Sequence, residues 1–177
     1  MKTKSRQGMT LVELIVATSL SAALLSAVMG TFIAIGKSSI RLAAYSDMEQ
    51  STSRGLEQLG RELRMTQSIT TPSGSPITQV NLGIPNAAGT ITPVEYRLNS
   101  ATRTLVRTVG TTSTTLIGDI QAGSFGFLRY DLAGAAATND FGTNQIQISM
   151  TIAPSTSGLV AATTKRVVSA RFVLRNR

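Results

Sequence analysis

Residues 14–36 are a run of 23 uncharged, mostly apolar residues, and a lone carboxylate, Glu13, stands at its head. The octapeptide before it, residues 1–8, is basic through Lys2, Lys4 and Arg6. As a helix rising about 1.5 Å per residue the run reaches roughly 34 Å, enough to cross a hydrocarbon core of about 30 Å. A secretory signal, whose apolar core is about 7–15 residues, is too short a template for it. A plain signal anchor accounts for the length but gives Glu13 no reason to be there. Charged side chains within a span are rare, cost about 2.5–3.5 kcal/mol at its centre and usually face a partner or a functional path. With Lys2, Lys4 and Arg6 before the span and only Lys37 and Arg41 close behind it, the positive-inside bias keeps the amino terminus cytoplasmic and sends the rest across.

Beyond the span, residues 38–68 still read as helix. Tyr45, Met48, Thr52, Leu56, Leu59 and Leu63 recur at steps of three and four, while Asp47, Glu49, Arg54, Glu57, Arg61, Glu62 and Arg64 fill the remaining positions. Glu57 and Arg61 stand at the spacing of a favourable i,i+4 pair. The reading is one helix from about Thr10 to Ser68, apolar all round in its first half and amphipathic in its second, which needs a sheet to cover it.

Pro72, Gly74 and Pro76 punctuate the end of that helix, and period-two runs follow. Val80, Leu82 and Ile84 form one. Val94, Tyr96 and Leu98 form another, reversed by residues 99–102 into a strand over 103–109. Ile146, Ile148, Met150 and Ile152 make the cleanest run, and Val168, Ala170, Phe172 and Leu174 close the series. Each has one apolar face, as an antiparallel sheet laid on a helix requires. Phe125, Phe127 and Tyr130 lie between two of these runs and read as core, with a stacking platform for single-stranded nucleic acid beside Arg129 as the competing reading. Residues 131–144 and 154–164, rich in Ala, Gly, Thr and Ser, read as mobile surface loops.

The chain has no His and no Cys, so the commonest general base, the thiol nucleophile, the nitrogen and sulfur metal ligands and any disulfide framework are missing. Catalysis is not expected, and no cofactor is called for. Asp131, Asn139 and Asp140 could offer oxygen ligands to a calcium ion, but their spacing is not that of an EF-hand and they read as solvated loop residues. The formal net charge is +8; three of the positive charges belong to residues 1–8, and the rest of the excess lies after Ile69. Such a basic exterior serves solubility or draws in anionic partners.

The segment Gly8-Met9-Thr10-Leu11-Val12-Glu13-Leu14, between a basic leader and an apolar helix, resembles the prepilin-type cleavage and methylation motif of type IV pilins and pseudopilins. The resemblance implies a membrane-embedded prepilin peptidase that cuts between Gly8 and Met9 and methylates Met9. It makes Glu13 the fifth mature residue, the one that serves assembly. Met9 departs from the phenylalanine usual at the first mature position. The strand residues 94–98 and 104–107, with Val173-Leu174-Arg175-Asn176, look like minor pilins of the PilW kind and J-type pseudopilins.

The implied fold is α+β and pilin-like, a long amino-terminal helix packed on a carboxy-terminal antiparallel sheet. Its parts are a leader (1–8), a transmembrane and filament-core helix (9–36), an amphipathic half (37–69) and a globular β domain (70–177). The implied partners are the prepilin peptidase, other pilins or pseudopilins and the lipid bilayer of the inner membrane. Once residues 1–8 are gone, a neighbour's Met9 amine can lie against Glu13. At about 4 Å and an effective dielectric near 20 that attraction is about 4 kcal/mol before desolvation is subtracted. The alternative class is a DNA-receptor pilin of a competence apparatus, with Arg97, Arg103, Arg107, Arg129, Lys165, Arg166 and Arg171 on phosphates.

Overall fold

The computed structural model describes residues 9–153 and 165–175. One helix, α1 (Leu11–Met65), is followed by eight strands: β1 (Ser68–Thr70), β2 (Gln79–Pro85), β3 (Ile91–Asn99), β4 (Thr104–Val109), β5 (Thr112–Ile117), β6 (Gly126–Tyr130), β7 (Gln145–Ile152) and β8 (Arg166–Val173). The chain divides after Leu42 into two compact units. In the first, every residue from Met9 to Leu42 is exposed.

The second unit holds the core. Its strands form a five-stranded sheet, β1-β2-β3-β4-β5, and a three-stranded sheet, β6-β7-β8, with every pairing antiparallel. Period two therefore located β2, β3, β4, β7 and β8, but the expected single sheet is two. They meet where Phe127 N donates to Ile77 O at 2.8 Å and Ala153 N donates to Asp119 O at 2.9 Å. Ile146, Ile148, Met150 and Ile152 of β7 are all buried, as are Val80, Leu82, Val94, Tyr96 and Leu105 on the larger sheet. Phe125 and Phe127 are core residues too, edge to face with centroids 5.1 Å apart.

The helical reading ran three residues too far. After Met65 the Thr66 hydroxyl donates to Ser68 O and Gly83 O, Gln67 N donates to Gly83 O at 2.9 Å, and Ser68–Thr70 pairs with β2 instead of continuing the helix. β5 and β6 carry no period-two signal: β5 is mostly Thr and Ser with no apolar alternation, and β6, Gly-Phe-Leu-Arg-Tyr, mixes apolar and polar residues without a clear period. The stretch 131–144 is not a loose loop. Asp131 N donates to Ala135 O, Ala137 N to Arg129 O and Asn144 N to Tyr130 O, all within 3.0 Å, and Thr143 is fully buried. Residues 154–164 lie outside the described residues.

Met48, Thr52, Leu59 and Leu63 of the expected stripe are buried and Leu56 is partly so, whereas Tyr45, at its amino-terminal end, is exposed. Gly55 and Gly60 join the buried face, each for close approach. A Cβ at Gly55 would stand 2.6 Å from Ile117 Cγ1 of β5, and one at Gly60 2.6 Å from Phe172 Cε1 of β8. The helix thus lies on both sheets through residues with no side chain. Gly55→Ala should destabilise the unit by about 1–2 kcal/mol, since overpacking against buried Ile117 exceeds the roughly 1 kcal/mol gained in helix propensity. Gly60→Ala should cost less, because the ring edge of Phe172 is only partly buried and can turn aside. Urea unfolding of the two variants followed by circular dichroism measures this; equal stabilisation of both would show that the contacts do not constrain the helix.

Candidate functional site

The first turn of α1 is built by a reciprocal pair. Thr10 caps the helix, its Oγ1 accepting from Glu13 N at 3.3 Å, while Glu13 Oε2 accepts from Thr10 N and Thr10 Oγ1, both at 3.2 Å. This is the capping box that a Thr-x-x-Glu string encodes, with an acid placed favourably at the positive end of the helix dipole. The sequence signal for it was present in Thr10-Leu11-Val12-Glu13, and sequence reasoning passed over it in favour of an intermolecular partner. Oε1 accepts no hydrogen bond among the described residues, so the local role leaves half the carboxylate available. Met9 precedes the cap and is exposed. Gly8 and the basic leader lie outside the described residues.

From there the helix presents apolar side chains on every side: Leu11, Leu14, Ile15, Leu20, Leu24, Leu25, Val28, Phe32 and Ile33 are each at least half exposed. Its hydroxyls do not interrupt that character. Thr18 donates to Leu14 O and Ile15 O, Ser19 to Val16 O, Ser26 to Ala22 O and Thr31 to Ala27 O, so these polar hydrogens are satisfied within the helix. An 18-residue window of α1 has a mean hydropathy of 2.0 and no buried residue, which fits a single crossing of a membrane by length and composition.

The basic residues proposed for phosphate contact do not form one stripe. Arg107 reaches inward from β4 to Glu62 of α1, with Nη2–Oε1 at 2.6 Å and Nε–Oε1 at 2.9 Å. Tyr96 Oη donates to the other oxygen, Oε2, at 2.6 Å. Burial, reinforced by the hydrogen bond to Glu62, pushes the Tyr96 phenol far up, and the bond to Glu62 raises Arg107 further. Sequence reasoning placed Glu62 on the solvent face; it is buried, because its two partners arrive from β3 and β4.

Arg129 is paired with Asp140 Oδ1 at 2.5 Å, and Asp140 also accepts from Thr71 N and Thr71 Oγ1. Burial raises the Asp140 carboxyl, but the two Thr71 bonds and the Arg129 guanidinium outweigh it and hold the group below its ordinary value. Asp140 is thus a fixed ionic partner and not a solvated loop acid, and Asp131 Oδ1 is engaged by Ala135 N at 2.8 Å. Arg166 pairs with Glu49 at 3.1 Å and Arg97 with Glu95 at 3.1 Å. Arg171 stacks 3.7 Å over the Tyr130 ring, and its Nη2 donates to Gln147 Oε1. The register sets Arg129 and Arg166 on the face of the small sheet that carries Phe127 and Ile152, and Arg171 on the opposite face. Arg103 sits in the β3–β4 turn at φ 55°, and Lys165 is exposed before β8. Among the described residues no group of three acids, His or Cys is placed to hold a metal ion.

Residues 3–29 match the family model described as the prokaryotic N-terminal methylation motif. No curated protein matches the chain. With a long apolar helix continuing onto antiparallel sheets, the chain carries the amino-terminal region and the α+β architecture of a type IV prepilin-like protein.

Glu62→Gln should destabilise the second unit by about 3 kcal/mol, because Arg107 would keep a partly buried charge without its counter-ion. The double variant Glu62→Leu, Arg107→Met should recover most of that loss. Denaturant midpoints of the two variants test the pair; a single variant as stable as the parent would contradict it.

Proposed function

We propose that the protein is a minor pilin or pseudopilin, a structural subunit of a type IV pilus or a type II secretion pseudopilus. It resides in the inner membrane by one span, amino terminus in the cytoplasm and globular unit outside, as the charge asymmetry around the span favours. Prepilin peptidase cuts between Gly8 and Met9 and methylates Met9, and the subunit is then drawn into a short filament through α1. The observation that carries this reading is a carboxylate at the first turn of a helix whose first half is apolar on all sides and exposed throughout. Replacing lipid by like helices changes hydrophobic burial little, so specificity must come from polar contacts. Glu13 Oε1 supplies one, toward the methylated amine of a neighbouring subunit.

A DNA-receptor role through Arg97, Arg103, Arg107, Arg129, Lys165, Arg166 and Arg171 is the weaker reading. Arg107, Arg129 and Arg166 are held by Glu62, Asp140 and Glu49 of the same fold, so contact with phosphates would have to break internal ion pairs.

Glu13→Gln keeps the capping geometry but removes the charge. Expressed with its peptidase and sister subunits, it should be cut normally and yet enter sheared filaments at least about tenfold less, the equivalent of losing about 1.4 kcal/mol. Immunoblots of the membrane and sheared fractions read both steps. Parental incorporation would refute the role given to Glu13.

A further inference from the structure

The larger sheet ends on β5, which is bonded to β4 and, among the described residues, to no strand on its other side. Exposed sheet edges are ordinarily blunted by charge, proline, brevity or a cover, since their unpaired N–H and C=O groups template pairing with another chain. The other edges show such devices: β1 is three residues long, β8 carries Arg166 and Arg171, and β6 is bridged through Phe127 to Ile77. β5, Thr-Ser-Thr-Thr-Leu-Ile, has no charge and no proline, and its first four residues are exposed.

Beside this edge lies a groove of about 630 Å³ between α1 and the strand, bounded by Ser51, Arg54, Gln58 and Arg61 on one side and Thr114 and Thr115 on the other. Among the described residues Arg54 and Arg61 have no acidic partner within ion-pair distance, and Glu57 does not close the i,i+4 pair with Arg61 that its spacing allows; Arg61 donates to the neutral Gln58 Oε1 at 3.0 Å. Arg107 also borders the groove, its charge engaged by Glu62, and among the described residues Glu57 is the acid in the lining. An open polar edge and two available guanidinium groups therefore border one trough.

We infer that β5 is a strand-addition site for an extended, acid-bearing segment of a partner protein. The segment pairs its backbone with β5 and sets carboxylates beside Arg54 and Arg61. Main-chain bonds give the affinity, and alternate side chains facing α1 give the choice of partner. The threonine side chains of β5 suit this, being β-branched, uncharged and compatible with a neighbouring strand. The inference stands apart from processing at Gly8 and from assembly through Glu13, which involve other residues.

The test uses the full chain in detergent micelles and two blocked hexapeptides of alternating Thr, Val and Glu, or Thr, Val and Lys. Hydrogen exchange reads the amides of residues 112–115. The acidic peptide should slow their exchange and bind at least about tenfold more tightly than the lysine peptide, as two exposed ion pairs allow. Raised salt should weaken it, and Arg54→Gln with Arg61→Gln should remove about tenfold while leaving the fold intact. Protection absent from β5, or equal for the two peptides, or unchanged in the arginine variant, would overturn the proposal.

Discussion

A helix apolar around its whole circumference cannot remain bare in water, and everything about the amino-terminal unit follows from that constraint. Each exposed Leu, Ile, Val or Phe side chain there forgoes about 1.5–3 kcal/mol of burial, and α1 presents such residues along its whole first half. Lipid can cover them, and so can other helices. Because those two covers are nearly equivalent for apolar surface, the choice between them falls to the few polar groups at the helix start. Thr10 and Glu13 are those groups, and their mutual hydrogen bonds let one carboxylate cap the helix while its Oε1 accepts no hydrogen bond among the described residues.

The globular unit solves a different problem with the same helix. Its second half is held against two sheets by Gly55 and Gly60, which let strands β5 and β8 come close, and by Glu62, whose carboxylate is gripped from β3 and β4. Glycine contacts set the distance and the ion pair sets the register. A buried pair of this kind adds little net stability over apolar packing, but leaving either partner alone is costly, so it disfavours other seatings of the helix.

The sequence revealed long-range periodicity well and exceptions to it poorly. The all-round apolar run, the stripe through Met48, Thr52, Leu59 and Leu63, and the alternation of β2, β3, β4, β7 and β8 are each a repeated pattern, and the structure places them as that pattern implies. Gly55, Gly60 and Glu62 broke the polarity code of the helix: glycine has no side chain to mark a face, and a carboxylate turns inward only when Arg107 and Tyr96, 45 and 34 residues away, come to meet it. β5 hid behind a threonine-rich composition. Of the basic residues offered as phosphate contacts in the alternative reading, Arg97, Arg107, Arg129 and Arg166 are paired with acids whose proximity is a property of the fold. At the helix start the residues were legible but ambiguous, since a Thr-x-x-Glu string that forms a local cap also sits where the methylation motif resemblance puts an assembly residue.

The most direct test of the account is the intact mass of the protein produced with and without a prepilin peptidase. The account predicts a product lacking residues 1–8 and carrying one added methyl group on Met9 only when the peptidase is present. A full-length, unmethylated chain in both preparations would contradict it.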